Sequence, residues 1–357
     1  MAMTTHTAAH LPSPGTRLAL TPTPTPHPGP GELLIKVLAV AVNPVDIYQR
    51  DLGLPPVPIY PAVLGSDVAG IVLAHGDTGV PASAPRPGER VGAFASGFYQ
   101  GGRAEYGAFQ EVVLARWEGV FPLPEGVSVE EGAVLPLGCL AAVSGFDVFG
   151  MQLDTNTSKD SDKQGKEGIL IWGGASSVGS FAVQFARDMG FRVYATASAK
   201  HHAYIKKLGA DRVFDYRDAD VVTQIASAVR SDGVSLCTAQ AIVPDSLQPV
   251  LDVLEALGQV NGGGKTARVG HAPPLFPGHA TLDGVDVRFS QPPGDPSARD
   301  EFIRRVFQDW VRPGLQGGTV VPSPRVRAIP GGLGGLDEAL DVLKEGVSGT
   351  KLVVTIG

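Results

Sequence analysis

Cysteine is nearly absent: Cys139 and Cys237 are the only two in 357 residues, too few for a disulfide framework or a four-thiolate zinc site. Charge is sparse too, at 18%, with 29 Lys and Arg against 36 Asp and Glu for a formal net charge of −7. That balance argues against nucleic acid or an anionic membrane as a partner, and leaves small anions open because one basic pocket suffices. No run of about 18 apolar residues occurs. The opening MAMTTHTAAHLPSPG holds neither arginine nor an apolar run, so no secretory or transit signal is visible and a cytoplasmic protein is expected. HExxH is missing, no lysine follows Gly179 as a P-loop requires, and Gly173 and Ser176 are wrongly spaced for G-x-S-x-G.

What is present suits a loop-rich enzyme of two domains. Hydrophobic residues make up 43%, and 46 Gly with 30 Pro form about a fifth of the chain without a triplet period. Residues 12–30 carry proline at alternate positions, which forbids helix and fits extended chain at a sheet edge. From 33 to about 125, short β-rich runs broken by turns read as a barrel-like or partly open β domain. Residues 129–150 turn helical, and polar 155–168 reads as a surface loop. Strands at 169–174, 191–198, 212–214, 234–241 and 265–270 then alternate with helices at 176–190, 201–210, 221–231 and 246–260. These strands are almost continuously apolar, the pattern of a doubly wound parallel sheet covered on both faces. A helix at 300–314, a helix at 336–346 and a strand at 351–357 close the chain. The expected class is α/β, with a β-rich catalytic domain (1–135 with 315–357) and a Rossmann cofactor domain (136–314).

The sharpest motif is GGASSVG, residues 173–179, between a strand and a helix. Gly174-x-Ser176-x-x-Gly179 is one glycine short of the dinucleotide fingerprint. Gly174 is expected to allow the tight turn, Ser176 to let the backbone approach a pyrophosphate with a hydroxyl to spare, and Gly179 to bring the helix onto the strand. Ala175, Ser177 and Val178 complete the cradle, where helix N–H groups face the phosphates. The next strand ends in Ala197-Ser198-Ala199-Lys200-His201-His202. It lacks the Asp or Glu that holds a ribose 2′-hydroxyl, while Ser198, Lys200 and His201 suit a 2′-phosphate. With Tyr216 closing over the adenosine end, the expected cofactor is NADPH. Val269 and Gly270 end a later strand, at the edge where doubly wound sheets bind ligands, and His271 follows.

Taken with PGPGELLIKVLAVAVNPVDIYQRDLG (28–53), LGSDVAGIV (64–72), PGERVGAF (87–94) and LGADRVFDYRD (208–218), the chain resembles the medium-chain dehydrogenase/reductase superfamily over nearly its full length. That resemblance implies a GroES-like catalytic domain. The chain looks like the zinc-free quinone oxidoreductase and enoyl reductase branch. In the loop before the cofactor strand and in SGTKLVV (348–354) it is similar to fungal trans-acting enoyl reductases that partner polyketide synthases. Carried from the zinc members, the first metal-binding cysteine falls on Asn43 and the histidine on Ser66. Only Cys139 stands near the third position, and in an apolar helix it reads most simply as a small core residue. One thiolate without an imidazole cannot hold zinc tetrahedrally, so no metal is expected.

The resemblance implies hydride delivery from NADPH to an already activated acceptor: a small hydrophobic enone, an enoyl thioester or a quinone. A non-catalytic NADPH-binding protein is the third reading. The resemblance places Asn43, Pro44, Asp46 and Tyr48 beside the nicotinamide. Asn43 would meet the ribose or carboxamide, or form an Asx turn before Pro44. Tyr48 would hydrogen-bond the substrate carbonyl or only pack the loop. Asp46, read as partly exposed and ionised, would brace it. Val353 and Val354 lie on the returning strand that the resemblance brings under the nicotinamide. A polyketide synthase partner is expected, and a monomer is favoured over a dimer formed through the 281–290 edge.

Overall fold

The computed structural model describes residues 5–152, 167–258 and 266–357. The expected loop at 155–168 lies almost wholly outside them, as do the last residues of the 246–260 helix and the start of the 265–270 strand. Two compact units emerge, Met1–Leu137 with Ile303–Gly357, and Gly138–Phe302. The second lies within the 136–314 that the sequence leads one to expect, ending twelve residues earlier.

The first unit opens with β1 (Thr5–Leu11), which antiparallel β2 (Ala19–Pro24) flanks on one side. Pro22 and Pro24 stand opposite Thr7 and Thr5, and their period of two matches the period of outward-facing N positions on an edge strand. β3 (Glu32–Ala41) is buried along most of its length and leads into α1 (Pro44–Leu52). Proline at the first helical position and Gly53 at φ 66° beyond the last turn delimit α1. Then follow β4 (Ala62–Val63), β5 (Asp67–His75), β6 (Arg90–Phe94), β7 (Val112–Arg116), β8 (Val120–Pro122) and α2 (Val129–Ala133). β4 completes the three-stranded sheet β2-β1-β4. β5 crosses β3 with two register shifts, and Gly70 is required there, since a Cβ would lie 1.9 Å from the Lys36 carbonyl oxygen. Helix α3 (Pro136–Asp147) follows α2. The stretch Val129–Asp147 is long and apolar enough to cross a membrane by composition, but 72% of its most apolar window is buried inside the protein.

The second unit alternates β9 (Glu167–Trp172), α4 (Ser177–Asp188), β10 (Arg192–Thr196), α5 (His202–Leu208), β11 (Arg212–Phe214), α6 (Val221–Ser231), β12 (Ser235–Ala241), α7 (Leu247–Ala256), β13 (Ala267–His271) and β14 (Val285–Phe289). All pairings are parallel, in the order β11-β10-β9-β12-β13-β14. The order reverses between β9 and β12, the switch point at which such sheets bind ligands. Leu170, Tyr194, Ile225, Val250 and Leu254 belong to the core against the sheet. Cys237 sits at a bulge, where the β12 register slips against β9.

α8 (Pro296–Arg304) continues through a π-helical stretch (Arg305–Val311) into α9 (Arg312–Gly317). The chain then returns through β15 (Arg325–Ile329), α10 (Leu336–Glu345) and β16 (Thr350–Thr355), giving the larger sheet β15-β16-β3-β5-β6-β8 with β7 also on β3.

α1 is tied to α10 by Arg50, whose side chain is 5% exposed. Its guanidinium reaches Asp51 at 2.7 Å, Asp337 at 3.3 Å and Asp341 at 2.8 Å, and Lys344 supports Asp51 from outside at 2.6 Å. Replacing Arg50 by alanine leaves three carboxylates without their shared cation, a loss of roughly 3 kcal/mol. Lys344→Ala, at an exposed pair, should cost no more than about 1 kcal/mol. Urea denaturation of the two variants checks this, and equal losses would contradict the hierarchy.

Candidate active site

The residues expected to form the site fall into two groups, one in each unit. In the parallel-sheet unit, β9 ends at Trp172 and the chain turns at Gly173, whose φ is 97°. This corrects the expectation for Gly174: Gly173 makes the left-handed turn, while Gly174 packs against β10, where a Cβ would lie 3.2 Å from that of Ala195. Both glycine N–H groups are held by Thr196, Gly173 to the hydroxyl at 3.0 Å and Gly174 to the carbonyl at 2.8 Å. Ser176 caps α4. Its Oγ accepts from Gly179 N–H at 3.0 Å and donates to the Gly173 carbonyl at 2.7 Å, so the hydroxyl is engaged rather than spare. A Cβ on Gly179 would fall 2.1 Å from that carbonyl. The helix can therefore approach the turn only with glycine there. Ala175 completes the turn, and the N–H groups of Ser177 and Val178 head the helix, where no intrahelical acceptor exists.

At the β10 end, Ser198 is buried and Lys200 is exposed. His201 is half-buried, and His202 Nε2 donates to the Ala197 carbonyl at 2.9 Å. Residues 197–202 contain no acid, but the fold brings one from the loop just after β11. Asp215 accepts from the Ala199 N–H at 2.9 Å and the Arg217 N–H at 3.1 Å. These two amides, Arg217 first, hold its carboxyl below the usual range. Its Oδ2 ties the β10 end to the β11 end while Oδ1 stays on its own loop, and the exposed Tyr216 ring beside it carries the Arg217 guanidinium at 5.1 Å. Arg217 was not among the expected residues.

At the β13 end, Val269 is fully buried and Gly270 leaves no room for a side chain. A Cβ there would meet Gln240 Oε1 at 2.5 Å and the Gly145 carbonyl at 2.8 Å. His271 is bonded through Nδ1 to the Pro273 carbonyl at 2.7 Å, and burial pushes its pKa down, so Nδ1–H donates and Nε2 is left as an acceptor.

The second group lies in the β-rich unit. Asn43 Nδ2 donates to Asp67 Oδ2 at 2.9 Å, and Lys351 Nζ reaches Asn43 Oδ1 at 2.5 Å and Asp67 Oδ2 at 2.9 Å. The Leu137 N–H closes on Asp67 Oδ1 at 2.6 Å. Asp46 Oδ2 accepts from the Asn43 N–H at 2.8 Å. Asp46 is fully buried, not partly exposed as the sequence suggested, and burial raises its pKa to about 7 against the opposing pull of the Asn43 N–H. Asp67 and Lys351, which sequence reasoning missed, thus hold the Asn43 amide at both ends. Pro44 starts α1 and Tyr48, one turn on, is 49% exposed. Val353 and Val354 have buried side chains and pair with Ala41 and Val40 of β3 on one edge and with Ala328 and Ile329 of β15 on the other, so this stretch of β16 lies inside the sheet.

Family models match both halves of this arrangement: an alcohol dehydrogenase GroES-like domain over residues 29–125 and a zinc-binding dehydrogenase domain over residues 177–302. The chain is 52% identical to the trans-enoyl reductase tndF of Aspergillus flavipes over 98% of this chain and 99% of that one. It is also 52% identical to the trans-enoyl reductase tazE of Aspergillus terreus, over 84% of this chain and 94% of that one. Among solved structures, a quinone oxidoreductase of Pseudomonas syringae shares the fold with a TM-score of 0.70 at 22% identity, over 98% of this chain and 99% of that one. The chain belongs to the medium-chain dehydrogenase/reductase family. It is an oxidoreductase, similar over most of its length to fungal proteins named trans-enoyl reductases.

Medium-chain reductases use a nicotinamide cofactor, and the turn at 173–179 fits its pyrophosphate. The Gly179 clearance, the capped helix start and the side-chain-free Gly173 leave backbone N–H groups as the surface offered to phosphate. Gly179→Ala should therefore weaken dinucleotide binding by at least about tenfold, as the helix is pushed off its strand. Ser176→Ala should lower stability by about 1 kcal/mol through loss of the cap. Calorimetric titration and thermal melting distinguish the two, and a Gly179→Ala protein that binds normally would rule out this cradle.

Proposed function

We propose that this reductase is NADPH-dependent and delivers hydride to the β-carbon of an activated C=C, an enoyl thioester or enone, without a metal. The observation that carries it is the 52% identity to two trans-enoyl reductases over most of the chain. Support for NADPH comes from the β10 end. Lys200 is exposed there, Arg217 presents a planar cation over Tyr216, and Asp215 has both oxygens occupied by backbone. A 2′-phosphate would find point charge and fork together.

Support for metal-free chemistry comes from the donor set. Asn43 and Ser66 stand where the zinc members carry a cysteine and a histidine, and the Asn43 oxygen is already taken by a lysine ammonium. Among the described residues no three His, Cys, Asp or Glu side chains gather in a group able to hold a metal.

The bound nicotinamide supplies the hydride, and the acceptor's own carbonyl draws off the charge. What the chain contributes is position and hydrogen bonds to the developing enolate oxygen. Tyr48, with its ring half-exposed at the first turns of α1, is the residue proposed to donate that bond. Asn43 is fixed by its own network and contributes to the shape of the wall. A polyketide synthase supplying a carrier-bound enoyl chain is the proposed partner. The quinone reading stays as the second, because a quinone is also activated without a Lewis acid.

Lys200→Ala removes a charge-assisted bond worth ~1.5–3 kcal/mol and should weaken NADPH by roughly tenfold or more while NADH changes little. Equal losses for both cofactors would rule out the phosphate contact. In an NADPH-oxidation screen, turnover should appear with enoyl thioesters, be absent with plain ketones, and survive chelator. Turnover confined to quinones gives the second reading, and stoichiometric zinc by elemental analysis overturns the metal-free account.

A further inference from the structure

Two carboxyl groups and one cation are enclosed together in the β-rich unit: Asp46 and Asp67 are both 0% exposed and Lys351 is 5% exposed. Their charges balance only if the cluster also holds a proton, since an uncompensated charge in the interior costs far more than a neutral acid. The hydrogen bonds decide where that proton sits. Asp67 takes the Lys351 ammonium and the Asn43 amide on one oxygen and the Leu137 N–H on the other. Asp46 draws its hydrogen bonding from Asn43 alone, whose N–H donates to Oδ2, and its Oδ1 is buried without a hydrogen-bond partner among the described residues. Among the charged groups around it, β5 contributes Asp67 and β16 contributes Lys351. On α1 itself, Arg50 and Asp51 are engaged with each other, and Arg50 also with Asp337 and Asp341 of α10. Neither helix therefore offers Asp46 a counter-charge.

We propose that Asp46 is a neutral carboxylic acid in the working enzyme and acts as a positioning residue, its proton keeping the first turn of α1, with Asn43 and Tyr48, seated against β5 and β16. Ionisation sets a second negative charge beside Asp67 with only Lys351 to offset both, and the seat of α1 loosens. The kinetic half of this inference rests on the role given to Tyr48 above; the protonation half does not.

Because burial raises the Asp46 pKa from 3.8 to about 7, the folded protein holds this proton more tightly than the unfolded chain. The stability that the proton confers is full below the unfolded value and is lost as pH rises through the folded one. Infrared difference spectra of the full chain are the direct test. A protonated-carboxyl band should disappear with a midpoint near 7 and be missing from Asp46→Asn. If Asp46→Asn does not fold, Asp67→Asn serves instead: it leaves Lys351 to Asp46 and should move the midpoint to lower pH. A band that survives in Asp46→Asn, a midpoint unmoved in Asp67→Asn, or no titrating band at all overturns the assignment.

In steady-state kinetics, kcat of the wild type should fall as pH rises through the same midpoint, and that of Asp46→Asn should be independent of pH over the same range. A wild-type rate flat in pH, or an alkaline limb kept in Asp46→Asn, overturns the positioning role even where the band is present. If no acceptor is turned over, the functional reading fails while the infrared titration still decides the protonation.

Discussion

One buried ammonium holds the β-rich unit together. Lys351 comes from the last strand and bonds to Asn43, 308 residues earlier, and to Asp67 on β5. With the Leu137 N–H on the other Asp67 oxygen, four distant segments meet at a single carboxylate. Removing one partner of such a pair strands a charge in the interior, so each member is hard to replace alone. The antiparallel pairing of β16 with β3 sets Lys351 beside the start of α1. The tail of the chain is thereby part of the same construction as its first long strand.

α1 shows how helical geometry lets nine residues do three different jobs. Asp46 faces the buried cluster, Arg50, one turn later, faces the carboxylates of α10, and Tyr48 between them faces outward. With 3.6 residues per turn, positions two apart lie on opposite sides while positions four apart share one. Two separate polar anchors, one hidden and one at the rim, therefore fix the exposure of a single tyrosine.

The parallel-sheet unit was legible in the sequence because its signals are local. Continuous apolar strands, a glycine turn and alternating helices all fall within windows of a few residues, and the order of elements matches the structure closely. The proline period of residues 22 and 24 likewise showed an edge strand directly. The polar cluster was not legible, since its members lie 24, 70 and 308 residues apart and only the fold brings them together. Asp46 was misjudged for the same reason: a DIYQ segment gives no hint that its first residue is sealed behind two other strands. Asp215 escaped because it reaches the β10 end from just after the neighbouring strand. The tight turn expected at Gly174 falls on Gly173 because a degenerate fingerprint does not say which of two adjacent glycines takes the positive φ. Strand β1 was passed over because THTAAHL has no long apolar run and its partners lie on either side of the proline segment.

The proline-bearing edge of β2 has a consequence for how this protein behaves in a crowded solution. An exposed strand edge is an invitation to a second chain, because unpaired N–H and carbonyl groups template the next strand. Pro22 and Pro24 have no N–H to offer, and both are exposed on the outer side of the three-stranded sheet. Carbonyl groups without matching donors cannot start a ladder, so this rim resists the strand exchange and fibrous stacking that an all-amide edge would permit. Any molecule that settles there must grip pyrrolidine rings and threonine side chains instead of main chain.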